Sequence, residues 1–134
     1  STVVKIVVLY LNQMTMKPLC CAIFTLFISG ILYAQATIKL DEVSLHIGDS
    51  VTVCGIVKDM RYFENSRNKP TFLNIGARYP NQPLTVVIWE NVRNLFTGKL
   101  EDLHGKYICI TGRIILYKEK PEIIIERPGQ VVIQ

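Results

Sequence analysis

Gly48-Asp49-Ser50-Val51-Thr52-Val53-Cys54-Gly55-Ile56-Val57, with Thr71-Phe72-Leu73-Asn74-Ile75-Gly76 and Leu84-Thr85-Val86-Val87-Ile88 after it, is the stretch that decides the fold. Over residues 51–59 the chain alternates with period two. Val51, Val53, Gly55 and Val57 fall on one face, and Thr52, Cys54, Ile56 and Lys58 on the other. Alternating β-branched residues are the mark of a strand with one buried face, and Gly55 offers it a place to bend. In residues 72–75, Leu73 and Ile75 oppose Phe72 and Asn74. In residues 84–89, Leu84, Val86 and Ile88 face together. The connection between the first two strands, residues 61–70, reads Arg-Tyr-Phe-Glu-Asn-Ser-Arg-Asn-Lys-Pro and mixes cations with aromatic rings. A curved strand followed by such a loop predicts a small barrel that holds a polyanion.

Downstream the period changes. Val92, Leu95 and Phe96 share one helical face over residues 90–96, and Gly98 stops that helix. Residues 106–117 then form the longest strand, whose opening from Gly105 to Gly112 repeats the look of the first. Lys118-Glu119-Lys120-Pro121 makes a charged hairpin turn into a fifth strand at residues 122–126, and residues 131–133 add a last extended piece. Upstream, residues 37–45 fit either a lead-in strand or a helical turn. Three strands, a short helix and two strands is the order of the OB-fold. That fold is an all-β, five-stranded Greek-key barrel that binds oligonucleotides and oligosaccharides on its second and third strands and in two flanking loops.

The chain has 134 residues and a formal charge of +4. From Thr37 onward, 13 Lys and Arg stand against 11 Asp and Glu, too small an excess to argue for nucleic acid by net charge. Ahead of Thr37 lies Met14-Thr15-Met16-Lys17-Pro18, an apolar run over residues 19–33, and Ala34-Gln35-Ala36. A positive start, a short apolar middle and a small-residue exit predict a signal peptide over residues 14–36, since a spanning helix needs about 20 apolar residues. Residues 1–13 precede two sensible methionine starts and read as an over-extended N-terminus. The expected domain is therefore 37–134, exported to the periplasm or beyond and free of the membrane once the signal is cut. Cys20 and Cys21 open the apolar run rather than follow it, which excludes lipid attachment.

Val51 to Val57, Thr71 to Gly76, Tyr79-Pro80-Asn81, Thr85 to Trp89, Gly105-Lys106 and Thr111-Gly112-Arg113 resemble the OB-fold nucleic-acid-binding domains of exported bacterial proteins, some of them appended to secreted nucleases. The resemblance covers residues 45–133 and lies in the order of the motifs more than in any one. It implies a module that binds single-stranded DNA or RNA, with a nuclease or another exported protein as an associated partner.

The candidate ligand residues follow from chemistry and position. Single-strand binders pair cations that track phosphates with rings on which bases stack. Between positions 58 and 78, Lys58, Arg61, Arg67, Lys69 and Arg78 outnumber Asp59 and Glu64, and Tyr62, Phe63, Phe72 and Tyr79 supply rings. Asn74 is placed to bond a base edge or sugar. Arg113, Tyr117, Lys118 and Lys120 mark the second flanking loop. Against this stands a plainer reading, in which Phe63 and Phe72 are core and the charges solvate a loop and a hairpin tip. Cys54 and Cys109 fall on neighbouring strands, as a cross-strand disulfide or as two buried thiols. With His46 and His104 scattered, no zinc spacing appears. Neither paired carboxylates nor a nucleophile or phosphate-loop motif is present. The expectation is a non-enzymatic binder of single strands with little sequence preference and without metal or cofactor, with a protein or glycan ligand as the alternative and a nuclease as the third reading.

Overall fold

A computed structural model describes residues 1–10 and 35–134. The chain divides into two units, Ser1–Ala34 and Gln35–Gln134. In the first, residues 2–10 are helical and exposed. The expected signal peptide lies outside the described residues except for Gln35 and Ala36, whose carbonyl accepts a hydrogen bond from Thr52 N at 2.9 Å. Among the described residues no helix is long and apolar enough to cross a membrane.

The second unit contains β1 (Thr37–Ile38), β2 (Ser50–Tyr62), β3 (Thr71–Ile75), β4 (Leu84–Ile88), β5 (Tyr107–Tyr117), β6 (Lys120–Ile125) and β7 (Val131–Ile133). Their order is β1-β2-β3-β4-β6-β5-β7, and β2 also pairs with β5. Hence β2, β3, β4, β6 and β5 close into a five-stranded barrel of OB type. The β4–β6 pair is parallel and the other four barrel pairings are antiparallel.

Closure depends on the two long strands. Residues 50–56 of β2 pair with β5, while Val57 and residues 59–62 pair with β3. In β5, residues 107–113 pair with β2 and residues 114–117 with β6. Each strand therefore passes from one wall to the other, and each carries an inward glycine. A Cβ on Gly55 would stand 2.5 Å from Ile75 Cγ2, and one on Gly112 would stand 2.6 Å from Ile123 Cγ2. Only a residue without a side chain lets those isoleucines cross the interior.

The core is what the alternation predicts. Val51, Val53, Val57, Leu73, Ile75, Leu84, Val86 and Ile88 are buried with Ile108, Ile110, Ile114, Ile123 and Ile125. Val43 of the 3₁₀ turn Leu40–Leu45, Val92, and Leu100 and Leu103 of a second 3₁₀ turn complete it. The lead-in segment is thus both things the sequence allowed, a two-residue strand and then a helical turn. The predicted helix over residues 90–96 is shorter, Glu90–Arg93. One turn cannot extend an apolar face, so Phe96 packs on the core but Leu95 is left exposed. Cys54 and Cys109 face each other across β2 and β5, and their sulfurs lie 1.99 Å apart as a disulfide.

Candidate nucleic-acid interface

A single irregularity builds the site. Along β2, Val57 pairs with Ile75, but the next pair is Asp59 with Asn74, so Lys58 is an extra residue in a β-bulge. A bulge reverses which face the following side chains take. Asp59 and Arg61 therefore turn outward and Met60 packs towards the core. Strict alternation through Lys58 would have put Asp59 and Arg61 inside.

Beyond the bulge, two outward rows cross the wall. Arg61, Phe72, Val87 and Ile124 stand in one, and Asp59, Asn74, Thr85, Glu122 and Ile115 in the other. The loop after β3 contributes Tyr79 and Gln82, and the β5–β6 hairpin contributes Tyr117, Lys118 and Lys120. With Asp59, Met60, Arg61, Phe63, Phe72, Asn74, Thr85 and Glu122 they enclose a groove of about 710 Å³.

Its rings fall into two groups. Phe72 is half-buried and meets Phe63 edge-on, with centroids 5.3 Å apart and planes at 68°. The Arg61 guanidinium lies over Phe63 at 5.2 Å from its centroid. Tyr79 and Tyr117 are exposed, at 69% and 56%. The hairpin tip holds Lys118 and Glu119 at φ of 47° and 65°, the left-handed conformation of a two-residue turn that ordinarily selects Gly or Asn. Lys118 Nζ lies 5.4 Å from the Tyr117 centroid, and Lys120 Nζ donates to the Pro80 carbonyl at 2.9 Å. The last bond ties the hairpin to the Tyr79 loop.

The groove floor is a directed hydrogen-bond chain. A carboxylate can only accept, so Asn74 turns its amide N–H toward Asp59, at 3.4 Å. Its carbonyl then takes the Thr85 hydroxyl at 3.2 Å, and Thr85 Oγ1 accepts from Gln82 Nε2 at 3.0 Å. The chain ends on Gln82 Oε1, a buried acceptor with no donor among the described residues. Glu122 lies beside Thr85 on the next strand, and burial pushes its carboxyl above the usual carboxylate range.

Of the residues chosen from sequence, the groove brings together Arg61, Phe72, Asn74, Tyr79, Tyr117, Lys118 and Lys120. Six others stand elsewhere. Lys58 is the extra residue of the bulge, exposed outside the groove lining. Tyr62 carries the Arg93 guanidinium over its ring at 4.3 Å, and Arg93 also donates to Thr71 Oγ1 and to Glu101, whose carboxyl that hydrogen bond holds below its ordinary range. Lys69 pairs with Glu90 at 3.3 Å, Arg67 and Arg78 are exposed outside the groove lining, and Arg113 sits opposite Ser50 on the β2–β5 wall. Basic residues close in sequence are thus dispersed by turns.

Asp59, Met60, Gln82 and Glu122 were missed. Glu122 alternates with Ile123 and Ile125, so its outward position was legible. Gln82, between Asn81 and Pro83, carries no such signal. Among the described residues, no three His, Cys, Asp or Glu side chains gather in a way that holds a metal ion.

The comparisons with known proteins agree with this geometry at the level of fold. No protein-family model and no curated protein matches the sequence. Among solved structures, that of yeast Stn1 and Ten1 is similar at a TM-score of 0.56 and 12% identity, over 79% of this chain and 66% of that one. The OBody AM1L10 bound to hen egg-white lysozyme is similar at 0.51 and 19%, over 78% of this chain and 98% of that one. Such identities speak for the barrel and not for a ligand.

Proposed function

We propose that this barrel is an exported module that binds single-stranded nucleic acid without covalent chemistry. The observation that carries the reading is the placement of Phe72, Tyr79 and Tyr117 beside Arg61, Lys118 and Lys120 around one groove. Bases stack on the rings, at about 1–3 kcal/mol each, and phosphates follow the cations along the rim. With carboxylates on its floor, the groove takes bases inward and keeps phosphates out. A bonded Cys54–Cys109 pair and the leader pattern of residues 14–36 support export, because disulfides persist in oxidising compartments. The module acts as a binder, and a nuclease or other exported protein is the partner such a module serves.

The test is fluorescence anisotropy with a labelled single strand at two salt concentrations. Three phosphate contacts give a slope of log affinity against log salt of about −2 for a single strand. Absence of binding at low salt, or binding indifferent to salt, overturns the reading. A protein or glycan ligand is the second reading, favoured by the acceptor-rich floor. Reversing the charges of Arg61, Lys118 and Lys120 discriminates the two, since it abolishes polyanion binding and spares a neutral glycan.

A further inference from the structure

One end of the groove floor asks for a ligand of a particular kind. Glu122 stands beside Thr85 on β4 and opposite Ile115 on β5, with Tyr117 two residues further along the same outer face of β5. Neither a hydrogen bond nor an ion pair reaches its carboxylate among the described residues. Lys120, the cation nearest in sequence, donates to the Pro80 carbonyl instead. Thr85 itself takes a hydrogen bond from Gln82, 8% exposed, whose Oε1 has no donor among the described residues. The direction of the chain from Asp59 prevents the amide from simply flipping, because Thr85 has already given its proton to Asn74. Glu122 therefore offers two carboxylate oxygens to the groove that Tyr117 also lines, with no protein donor competing for them among the described residues. A carboxylate takes two N–H donors side by side when both are presented in one plane.

The ligand that answers this is rich in parallel N–H donors and has a flat face for Tyr117. Guanine is the base that presents two adjacent donors, N1–H and the N2 amino group, on its pairing edge. Thymine offers one N–H between two carbonyls, which would face the carboxylate unfavourably. We infer that the groove holds a guanine-selective subsite in which a base stacked on Tyr117 gives N1–H and N2–H to the two oxygens of Glu122. This rests on the nucleic-acid reading of the groove and sharpens it to a base preference at one position.

The experiment compares a labelled thymine oligonucleotide with the same strand carrying one central guanine, and with inosine there, which lacks the N2 amino group. Anisotropy at low salt is expected to show the guanine strand binding about tenfold tighter than the all-thymine strand, within the range of one good bidentate base contact. Inosine should give up most of that gain. Glu122→Gln should lower the guanine strand to the affinity of the thymine strand. Equal binding of guanine and thymine strands overturns the subsite while leaving the groove a nucleic-acid binder. If neither strand binds and an arginine-containing peptide does, whose guanidinium has the same donor pattern, both readings fall to a protein ligand. The inosine comparison uses the unmodified protein and decides the question even if Glu122→Gln perturbs folding.

Discussion

The same two strands build two unlike walls. In the β1–β2–β5–β7 wall, β2 and β5 meet with unbroken alternation, and the outer face carries Thr52 bonded to Thr111, the Cys54–Cys109 disulfide, and Ile56 beside Tyr107. In the β2–β3–β4–β6 wall, one inserted residue has turned β2 over, and its outer face carries Asp59 and Arg61 above Phe72, Asn74 and Thr85. The interior is equally aliphatic behind both. What differs is the consequence of the bulge: a covalently tied wall maintains closure, and a polar, aromatic wall is released to meet a ligand.

If that division holds, the two walls fail in different ways. Removing the tie with Cys54→Ser and Cys109→Ser frees a loop whose ends are 55 residues apart, which by chain entropy is worth about 4 kcal/mol of stability. Urea unfolding should register that loss, while strand binding by the folded fraction is retained; a loss of binding without a loss of stability would erase the distinction. Gly55→Val attacks closure from within, because its Cβ collides with Ile75, and overpacking of this kind should cost about 3 kcal/mol, read from the same titration.

On the groove wall, Phe72→Ala should weaken single-strand binding about tenfold, the lower part of the range for one lost stack, measured by anisotropy with the unfolding midpoint followed alongside. The smallest effect concerns Glu122. Burial raises its folded pKa above the unfolded value, so the stability linked to its protonated form is full below the ordinary carboxylate range and is lost as pH rises through the raised value. Glu122→Gln should therefore leave stability unchanged at low pH and increase it slightly at neutral pH. Stability curves for the two proteins that run parallel across pH would show that its burial costs nothing.

Much of this was legible in advance for a simple reason. Period-two alternation needs only local chain geometry, so Val51 through Val57, Leu73 with Ile75, and Leu84 with Val86 and Ile88 identified their own inward faces. Tyr117, Lys118 and Lys120 were legible because a two-residue turn keeps sequence neighbours together in space. The outward turn of Asp59 was not legible, because a bulge is a relation between two strands and leaves no unambiguous mark on one. Arg67, Lys69 and Arg78 looked like a basic cluster, yet they fall in the turns on either side of β3 and none of the three lines the groove.

The sequence alone determined which segments are strands and, ahead of the bulge at Lys58, which of their residues turn inward, since period-two alternation needs only local chain geometry. Only the tertiary structure decided which charges and rings share a surface. That depends on where β2 slips by one residue against β3, and on a lysine of one hairpin reaching the carbonyl of a loop 40 positions earlier.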